Sequence, residues 1–358
     1  MESYKAKNLP FDYTMSSEIF KLLLDAREVY GEYKGFLKNM SFDYKCFLEY
    51  ALVNDIYYSF KIDNKKIDKK DMFFMPYKLK SNLVTEFNNI KKMLLFAITQ
   101  SDKTGFSLEL YNKTHKGIFA NCSKDNSTKK SGTLRKIQTY ILKPGLAGSA
   151  VSFIPPVYTD LNSLMKNLCE YLNTSIDDPF ITMCFSHYQF EKIHPYVSGN
   201  GRLGRLMIPV HMSYYRKEPP LLFLSESIDN LKNTYFTLLS SQDDSDYDKV
   251  LKFFLQCVIE QCNNNIKKIK LLNKLYDKDH KEIINTIGGT TILKVYPIML
   301  KKVVFTTSDI VNECKLHINS VNKVLNKLVD SGYLIKEKRT GTNRVTFTYK
   351  NLYDLYTK

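Results

Sequence analysis

The chain has no tryptophan, no Cys-x-x-C pair and no apolar stretch approaching the ~20 residues of a membrane span. Its seven cysteines are odd in number and irregularly spaced, which argues against a disulfide framework and against a zinc site. Cys169, Cys184 and Cys257 lie in apolar helical segments and read as small core residues. The start Met1-Glu2-Ser3-Tyr4-Lys5 lacks an apolar leader core, so a cytoplasmic protein with no membrane contact is expected. Acidic residues are also in short supply, 37 Asp and Glu against 52 Lys and Arg, for a formal charge of +15. Such a surplus suits an acidic partner. Abundant Lys, Asn, Ile and Tyr with no Trp also suits an AT-rich genome, in which case part of the charge carries no function. No internal repeat is visible.

At 358 residues and 44% hydrophobic content, the chain is long enough for two or three domains. Apolar spacing predicts helices from about Ser16 to Glu32 and from Phe42 to Ser59, then a basic connector from Lys65 to Lys80 containing Pro76. Further helices are expected over Asn82 to Gln100, over Leu108 to Ile118 with His115, and from Asp248 to Tyr276. The polar run Asn121 to Lys130 reads as a loop, and Asp277 to Gly289 as a linker.

The most informative stretch runs from His194 to Arg205. Asp178-Pro179 reads as an N-cap followed by Pro at the first helical position, and Phe180 to Ile193 as a buried helix closed by His194. Pro195, Gly199 and Gly201 force a tight loop, and Leu203, Leu206, Met207 and Val210 recur at helical spacing, so a second helix is expected to start near Arg202. A helix N-terminus behind glycines offers free N–H groups and a positive dipole end to an anion. Arg202 and Arg205, one turn apart, add two forked donors, and the layout is a phosphate site with a base beside it.

These residues resemble the Fic family, whose signature is His-x-Phe-x-(Asp/Glu)-Gly-Asn-Gly-Arg-x-x-Arg. Tyr196 stands for the phenylalanine, and Ser198 for the acidic residue that holds Mg²⁺ in the family. A neutral hydroxyl is a far poorer Mg²⁺ ligand than a carboxylate. Gly132-Thr133-Leu134-Arg135 and Phe153-Ile154-Pro155-Pro156 resemble the segment carrying the family's β-hairpin flap, and Asn233-Thr234-Tyr235-Phe236 the stretch bordering the nucleotide. The resemblance implies a mainly α, all-helical Fic fold with a β-hairpin flap, plus an N-terminal helical lobe and a C-terminal winged helix-turn-helix. Divided accordingly, residues 1–80 form the lobe, 81–276 the catalytic domain and 277–358 the winged helix.

It also implies transfer of AMP from ATP, with Mg²⁺ or Mn²⁺, to a Ser, Thr or Tyr hydroxyl of a target protein or of the chain itself. His194 would act as general base, a task suited to an imidazole of unperturbed pKa ~6.5. Gly199, Asn200 and Gly201 would present N–H groups, and Asn200 its side-chain amide, to the α-phosphate. Arg202 and Arg205 would bind the outer phosphates, and Tyr235 and Phe236 would border the base, although an aromatic pair on a helix reads equally well as core. His187 reads as a structural histidine. Val151, Ser152 and Phe153 of the flap, between about Ile137 and Ile154, would dock the target by strand addition.

Fic proteins carry an inhibitory helix with (Ser/Thr)-x-x-x-Glu-(Gly/Asn), and Ser59-Phe60-Lys61-Ile62-Asp63-Asn64 fits it with aspartate in the glutamate position. Asp63 is one methylene short, so its pair with Arg205 is expected to need about 1.5 Å of compensation or a bridging water. The bland reading of the same residues is a helix C-terminus with Asn64 as left-handed cap.

At the C-terminus, Thr307 to Cys314 reads as a short helix, Leu316-His317-Ile318 as a turn, and Asn319 as the cap of a helix through Asp330. Leu334 to Lys338 and Arg344 to Tyr349 alternate as strands around the wing Arg339-Thr340-Gly341-Thr342-Asn343. A DNA reader would place Asn319, Ser320, Asn322, Lys323 and Lys327 in the major groove, with Lys338, Arg339 and Arg344 on phosphates. From Lys281 onward 13 Lys and Arg stand against six Asp and Glu, which suits DNA. Winged helices serve equally as dimerisation modules, and a homodimer is the corresponding expectation. Two alternatives to adenylyl transfer stay open: transfer of another phosphate-linked group, and a DNA-binding regulator whose Fic domain only senses nucleotide.

Overall fold

The computed structural model describes residues 2–123, 130–142, 151–242, 246–338, 341 and 344–357. Residues 143–150 of the expected flap, the core of the polar run before it, and Arg339, Thr340, Thr342 and Asn343 of the wing lie outside the described residues. In chain order the helices are α1 (Ser17–Lys38), α2 (Lys45–Ile62), α3 (Asn82–Thr104), α4 (Leu108–Ile118), α5 (Leu161–Thr174), α6 (Pro179–Ile193), α7 (Asn200–Arg216), α8 (Ser225–Asn230), α9 (Lys232–Ser240), α10 (Tyr247–Ile287), α11 (Thr291–Lys302), α12 (Thr307–Cys314), α13 (Ile318–Asp330) and α14 (Lys350–Thr357). Strands are short: β1 (Ile141–Leu142) pairs antiparallel with β2 (Val151–Phe153), and β3 (Val304–Phe305), β4 (Leu334–Glu337) and β5 (Thr346–Tyr349) form a second sheet in the order β3-β5-β4. The mainly α class expected from the sequence holds. Among the described residues no helix is long and apolar enough to cross a membrane.

The chain divides into two compact units, one of Met1–Tyr30, Tyr58–Lys65 and Thr85–Cys262, the other of Gly31–Tyr57, Lys66–Val84 and Asn263–Lys358. The first is built around α6, every residue of which from Phe180 to Ile193 is buried. Asp178 caps it by accepting from the Phe180 N–H at 2.8 Å, and Pro179 opens it where no N–H is needed. It ends at His194, which takes the left-handed conformation with φ 48° and ψ 61°. That geometry is costly for a residue with a Cβ and turns the chain abruptly into the loop that follows. The partner helix α7 starts at Asn200, two residues before the expected Arg202, because Gly199 at φ 79° serves as its N-cap. The start of the chain is threaded onto this unit. Leu9 exchanges two hydrogen bonds with the Asn167 side chain, and Phe11 stacks on Tyr247 with ring centroids 4.4 Å apart.

In the second unit, two expectations are corrected. The stretch Asp277 to Gly289, read as a linker, continues α10 to Ile287, and the break comes only at Gly288 and Gly289, both at positive φ. The helix persists because Asp279, Ile283 and Ile287, at helical spacing, are buried, with the Asp279 carboxylate accepting from the Tyr349 hydroxyl and the Asn351 amide, each at 2.7 Å. The cap of α13 is His317, whose Nδ1 accepts from the Asn319 N–H at 3.3 Å, so Asn319 lies within the first turn. A capping box between Thr306 and Asp309 starts α12 as a local sequence signal should. α13 buries Val321, Val324, Leu325 and Leu328 and exposes Asn319, Ser320, Asn322, Lys323 and Lys327.

Candidate active site

Helices α6 and α7 and the loop between them bring the motif residues together. Asn200 is buried, and its amide is spent on closing the loop: Oδ1 accepts from the Tyr196 N–H and Nδ2 donates to the Tyr196 carbonyl, both at 2.9 Å. The Asn200 amide thus closes the loop, using its oxygen and one N–H of Nδ2. Tyr196 anchors the loop, fully buried, with its hydroxyl donating to Asn112 Oδ1 at 2.8 Å.

His115, from α4, stacks on that tyrosine with centroids 3.9 Å apart and an angle of 8°. Its Nδ1 accepts from the Gly132 N–H at 2.8 Å, which leaves the proton on Nε2 for the Ser198 carbonyl at 2.9 Å. Burial pushes its pKa down to about 4, against the pull of the Ser198 carbonyl, so it stays neutral. Phe119, one turn on, lies against Gly199 and under the Arg202 guanidinium, 4.9 Å from ring centroid to Cζ.

The backbone at His194 is held by Arg135. This buried guanidinium donates to the carbonyls of His194 (2.9 Å), Ile137 (3.1 Å), Pro156 (2.6 Å) and Ile193 (3.5 Å), tying both arms of the flap region to the C-terminus of α6. Carbonyls at a helix end carry partial negative charge, which suits a cation. Burial still lowers the Arg135 pKa to about 10. The His194 imidazole has a buried Nδ1 with no hydrogen-bond partner among the described residues. Burial first, then the Arg135 charge, pushes its pKa down to about 4 against the pull of the Glu191 carbonyl and Asp63. It is neutral at physiological pH and can accept a proton.

Both motif arginines are engaged by carboxylates of the same unit. Asp63 Oδ1 accepts from Arg205 Nη2 at 2.6 Å and Oδ2 from Arg202 Nε at 3.1 Å. The missing methylene needs neither compensation nor a bridging water, because Asp63 sits in the turn just beyond α2 with Asn64 in the left-handed conformation at φ 56°. In the structure Ser59 to Asn64 forms a helix end, and its aspartate contacts both motif arginines. Ser59 adds its hydroxyl to Arg205 Nε and its carbonyl to Nη2, each at 2.9 Å. Lys232 fixes the turn through the Asn64 side chain at 2.8 Å and the Lys61 carbonyl at 3.1 Å. Burial alone would raise the Asp63 carboxyl; Arg205, then Arg202, overcomes it and holds it below the usual range. The same pairing outweighs burial at Arg205 and raises its pKa.

Glu86 was not foreseen. It comes from α3 and pairs with Arg202 Nη1, both side chains being 8% exposed. Its signal in the sequence is an acid in phase with the apolar positions Ile90, Leu94 and Ala97 of an amphipathic helix. Arg135 had been placed in the flap segment without a role.

Other expected residues sit elsewhere. Tyr235 is core: it is buried, and its hydroxyl lies 3.0 Å from His187 Nε2, which makes His187 the structural histidine it was expected to be. Phe236 is half-buried beside it. In the flap, the Ser152 hydroxyl donates to Ser240 Oγ at 2.9 Å, and Phe153 is buried near the Lys192 ammonium and the Tyr4 ring. Of Val151, Ser152 and Phe153, Val151 is the one left without such an inward contact among the described residues. Ser198 offers no carboxylate, and among the described residues no group of three His, Cys, Asp or Glu could hold a metal ion. In the second unit Lys327 donates to the Ile287 carbonyl at 3.1 Å and Asn322 accepts from Thr307 at 3.3 Å, while Arg344 is exposed.

Comparison with known proteins agrees with this geometry. Residues 105–212 match the model of the Fic/DOC family, and residues 278–357 that of the TFIIE alpha subunit. A curated relative, the protein adenylyltransferase Fic of Drosophila yakuba, is 27% identical over 107 residues, covering 29% of this chain and 21% of its own length. The chain thus spans about a fifth of the curated relatives it matches. Among solved structures, a Fic family protein from Desulfovibrio desulfuricans G20 aligns over 94% of this chain and 97% of its own with a TM-score of 0.58 and 17% identity. A Fic domain containing signaling protein from Bacteroides thetaiotaomicron aligns over 69% and 97% with a TM-score of 0.54 and 16% identity. At such identities the likeness is one of fold.

Proposed function

Because its residues 105–212 make this chain a Fic family protein, we propose that it is a protein adenylyltransferase, moving AMP from ATP to a hydroxyl side chain of a target protein or of itself. The observation that carries this reading is the convergence of a neutral His194, the open N-terminus of α7 and the forks of Arg202 and Arg205 at one half-buried loop. The target hydroxyl oxygen forms a bond to the α-phosphorus as the bond to the β-phosphate oxygen breaks. His194 takes the hydroxyl proton, and pyrophosphate leaves toward the two arginines. N–H groups of the first turn of α7 face the charge that builds on the α-phosphate. Little covalent work falls to the protein, so the rate rests on positioning, which Arg135, His115 and Tyr196 supply by fixing the loop. The residues present do not fit a protein-held Mg²⁺, and the steps above use the chain's own groups alone.

In the same reading the turn after α2 carries the brake, with Asp63 in place on both arginines in the structure, the transferase is built on α6 and α7, and a winged helix follows α10. A second function, DNA binding, is supported by the exposed row Asn319, Ser320, Lys323 on α13. The test is incubation with ATP labelled at the α- or the γ-phosphate, in Mg²⁺ and in Mn²⁺, beside a His194→Ala variant. Protein-bound α-label that vanishes in the variant is expected. Protein-bound γ-label would mean phosphate transfer instead. No label at all, together with operator-length DNA binding untouched by His194→Ala, would favour a regulator.

A further inference from the structure

Arg202 holds two carboxylates that differ in kind. Asp63 reaches its Nε from a turn, spans to Arg205 as well, and has a side chain 24% exposed. Glu86 takes Nη1, touches Arg202 alone among the motif arginines, and is 8% exposed on a long helix. The Arg202 plane is further fixed by the Phe119 ring beneath it. A guanidinium is a rigid planar fork, so one anchored nitrogen and one stacked face define where its remaining donors point.

We propose that Glu86 is the positioning residue of Arg202, and that only Asp63 is exchanged for phosphate. When Asp63 leaves, Nε is vacated while Nη1 stays on Glu86, so Arg202 presents a preset edge to the departing pyrophosphate. Asp63 and Glu86 together neutralise both arginines; with Asp63 withdrawn the cluster gains one positive charge, and Glu86 keeps Arg202 from being a buried cation without a counterion. This rests on the adenylyl-transfer reading for its substrate, while the geometry of Arg202 can be read without it.

The experiment uses the full chain carrying Asp63→Ala, with Glu86→Ala or Glu86→Gln added. Glutamine keeps an acceptor oxygen for Nη1, and alanine removes it. Label transfer at saturating ATP should fall ~10-fold or more in Glu86→Ala and be largely rescued in Glu86→Gln, the difference expected from one hydrogen bond to a charged group. In parallel, the ¹⁵N–¹H signal of Arg202 Nε, assigned by its loss in Arg202→Lys, should be sharp in Asp63→Ala, move on adding inorganic pyrophosphate, and broaden away only in Glu86→Ala. A faster Glu86→Ala enzyme, or a signal as sharp in Glu86→Ala as in its parent, would overturn the proposal. So would equal losses of rate in the alanine and glutamine variants, which would make charge rather than orientation the contribution. If Asp63→Ala transfers no label, the adenylyl reading fails, and the Nε signal with pyrophosphate still decides the role of Glu86.

Discussion

Asp63 Oδ1 and Arg205 Nη2 meet at 2.6 Å, in a pair where the arginine side chain is 2% exposed and the aspartate 24%. The same carboxylate reaches Arg202 at 3.1 Å, so one residue occupies donors of both arginines that the proposed reaction needs. Replacing Asp63 by alanine should raise label transfer at least ~10-fold, since a charge-assisted hydrogen bond to each arginine no longer competes with phosphate. The same change should lower stability. Breaking a buried pair costs ~3–5 kcal/mol, and partial exposure of Asp63 reduces this to about 1–3 kcal/mol. A melting curve and a transfer assay on one sample check both signs. An unchanged rate in the variant would remove Asp63 as a brake.

His194 gives a prediction in pH. Burial and Arg135 lower its pKa from 6.5 to about 4, so the proton-accepting form dominates above pH 4. The acid limb of the transfer rate, measured in the Asp63→Ala protein, which lacks the upward pull of that carboxylate, should therefore have its midpoint at or below about pH 4. Linkage runs the same way for stability: between pH 6.5 and 4 the unfolded chain takes up a proton that the folded one refuses, so this group contributes stability above 6.5 that is lost as pH falls. An acid limb centred near 6.5 would mean that His194 is solvated in the working state.

Features written in short spans of sequence were legible. Asp178-Pro179 opens α6 and His194 closes it, because caps and left-handed stops depend on neighbours within a turn. The short helix Thr307 to Cys314 belongs with them, and so does the contact-making segment Ser59 to Asn64. Residues whose role depends on distant chain were not legible. Glu86 lies 116 positions from Arg202, and Arg135 finds its carbonyls as far as 59 positions away. No periodicity signals such partners. The run Asp277 to Gly289 misled because its charged residues look like a linker, while its burial comes from Tyr349 and Asn351 at the end of the chain. Tyr235, which the sequence leaves open between nucleotide rim and core, is core, its hydroxyl meeting buried His187.

Gly199 should not tolerate a side chain. Its φ of +79° disfavours any L residue, and a Cβ there would lie 2.4 Å from Phe119 Cζ. Gly199→Ala is expected to cost about 2–4 kcal/mol, the sum of a left-handed alanine and a forced shift of an aromatic ring. Because Phe119 underlies Arg202, the shift should also reach the arginine. In the Asp63→Ala background the Gly199→Ala change should raise the KM for ATP, and its cost in stability should be smaller when measured in a Phe119→Ala background than in the parent. Full stability in Gly199→Ala alone would show that the loop has slack the geometry denies.

Glu191, one helical turn before the loop that follows α6, is 6% exposed, and its Oε1 has no hydrogen-bond partner among the described residues. Burial raises its pKa from 4.5 to about 7, with Arg205 pulling down and Asp63 pushing up. The sign follows from the raised value. Between pH 4.5 and 7 the folded protein keeps a proton that the unfolded chain has released, so the stability from this group is complete below 4.5 and lost as pH rises through 7. Glu191→Gln places a neutral amide of the same shape in the site and abolishes that titration. The variant should melt with the parent near pH 4.5 and above it at pH 8, by on the order of 1–3 kcal/mol. Calorimetry at both pH values is the check. A difference of equal size at the two would mean that the amide acts through packing, and that Glu191 is already ionised against Arg205 in the folded protein.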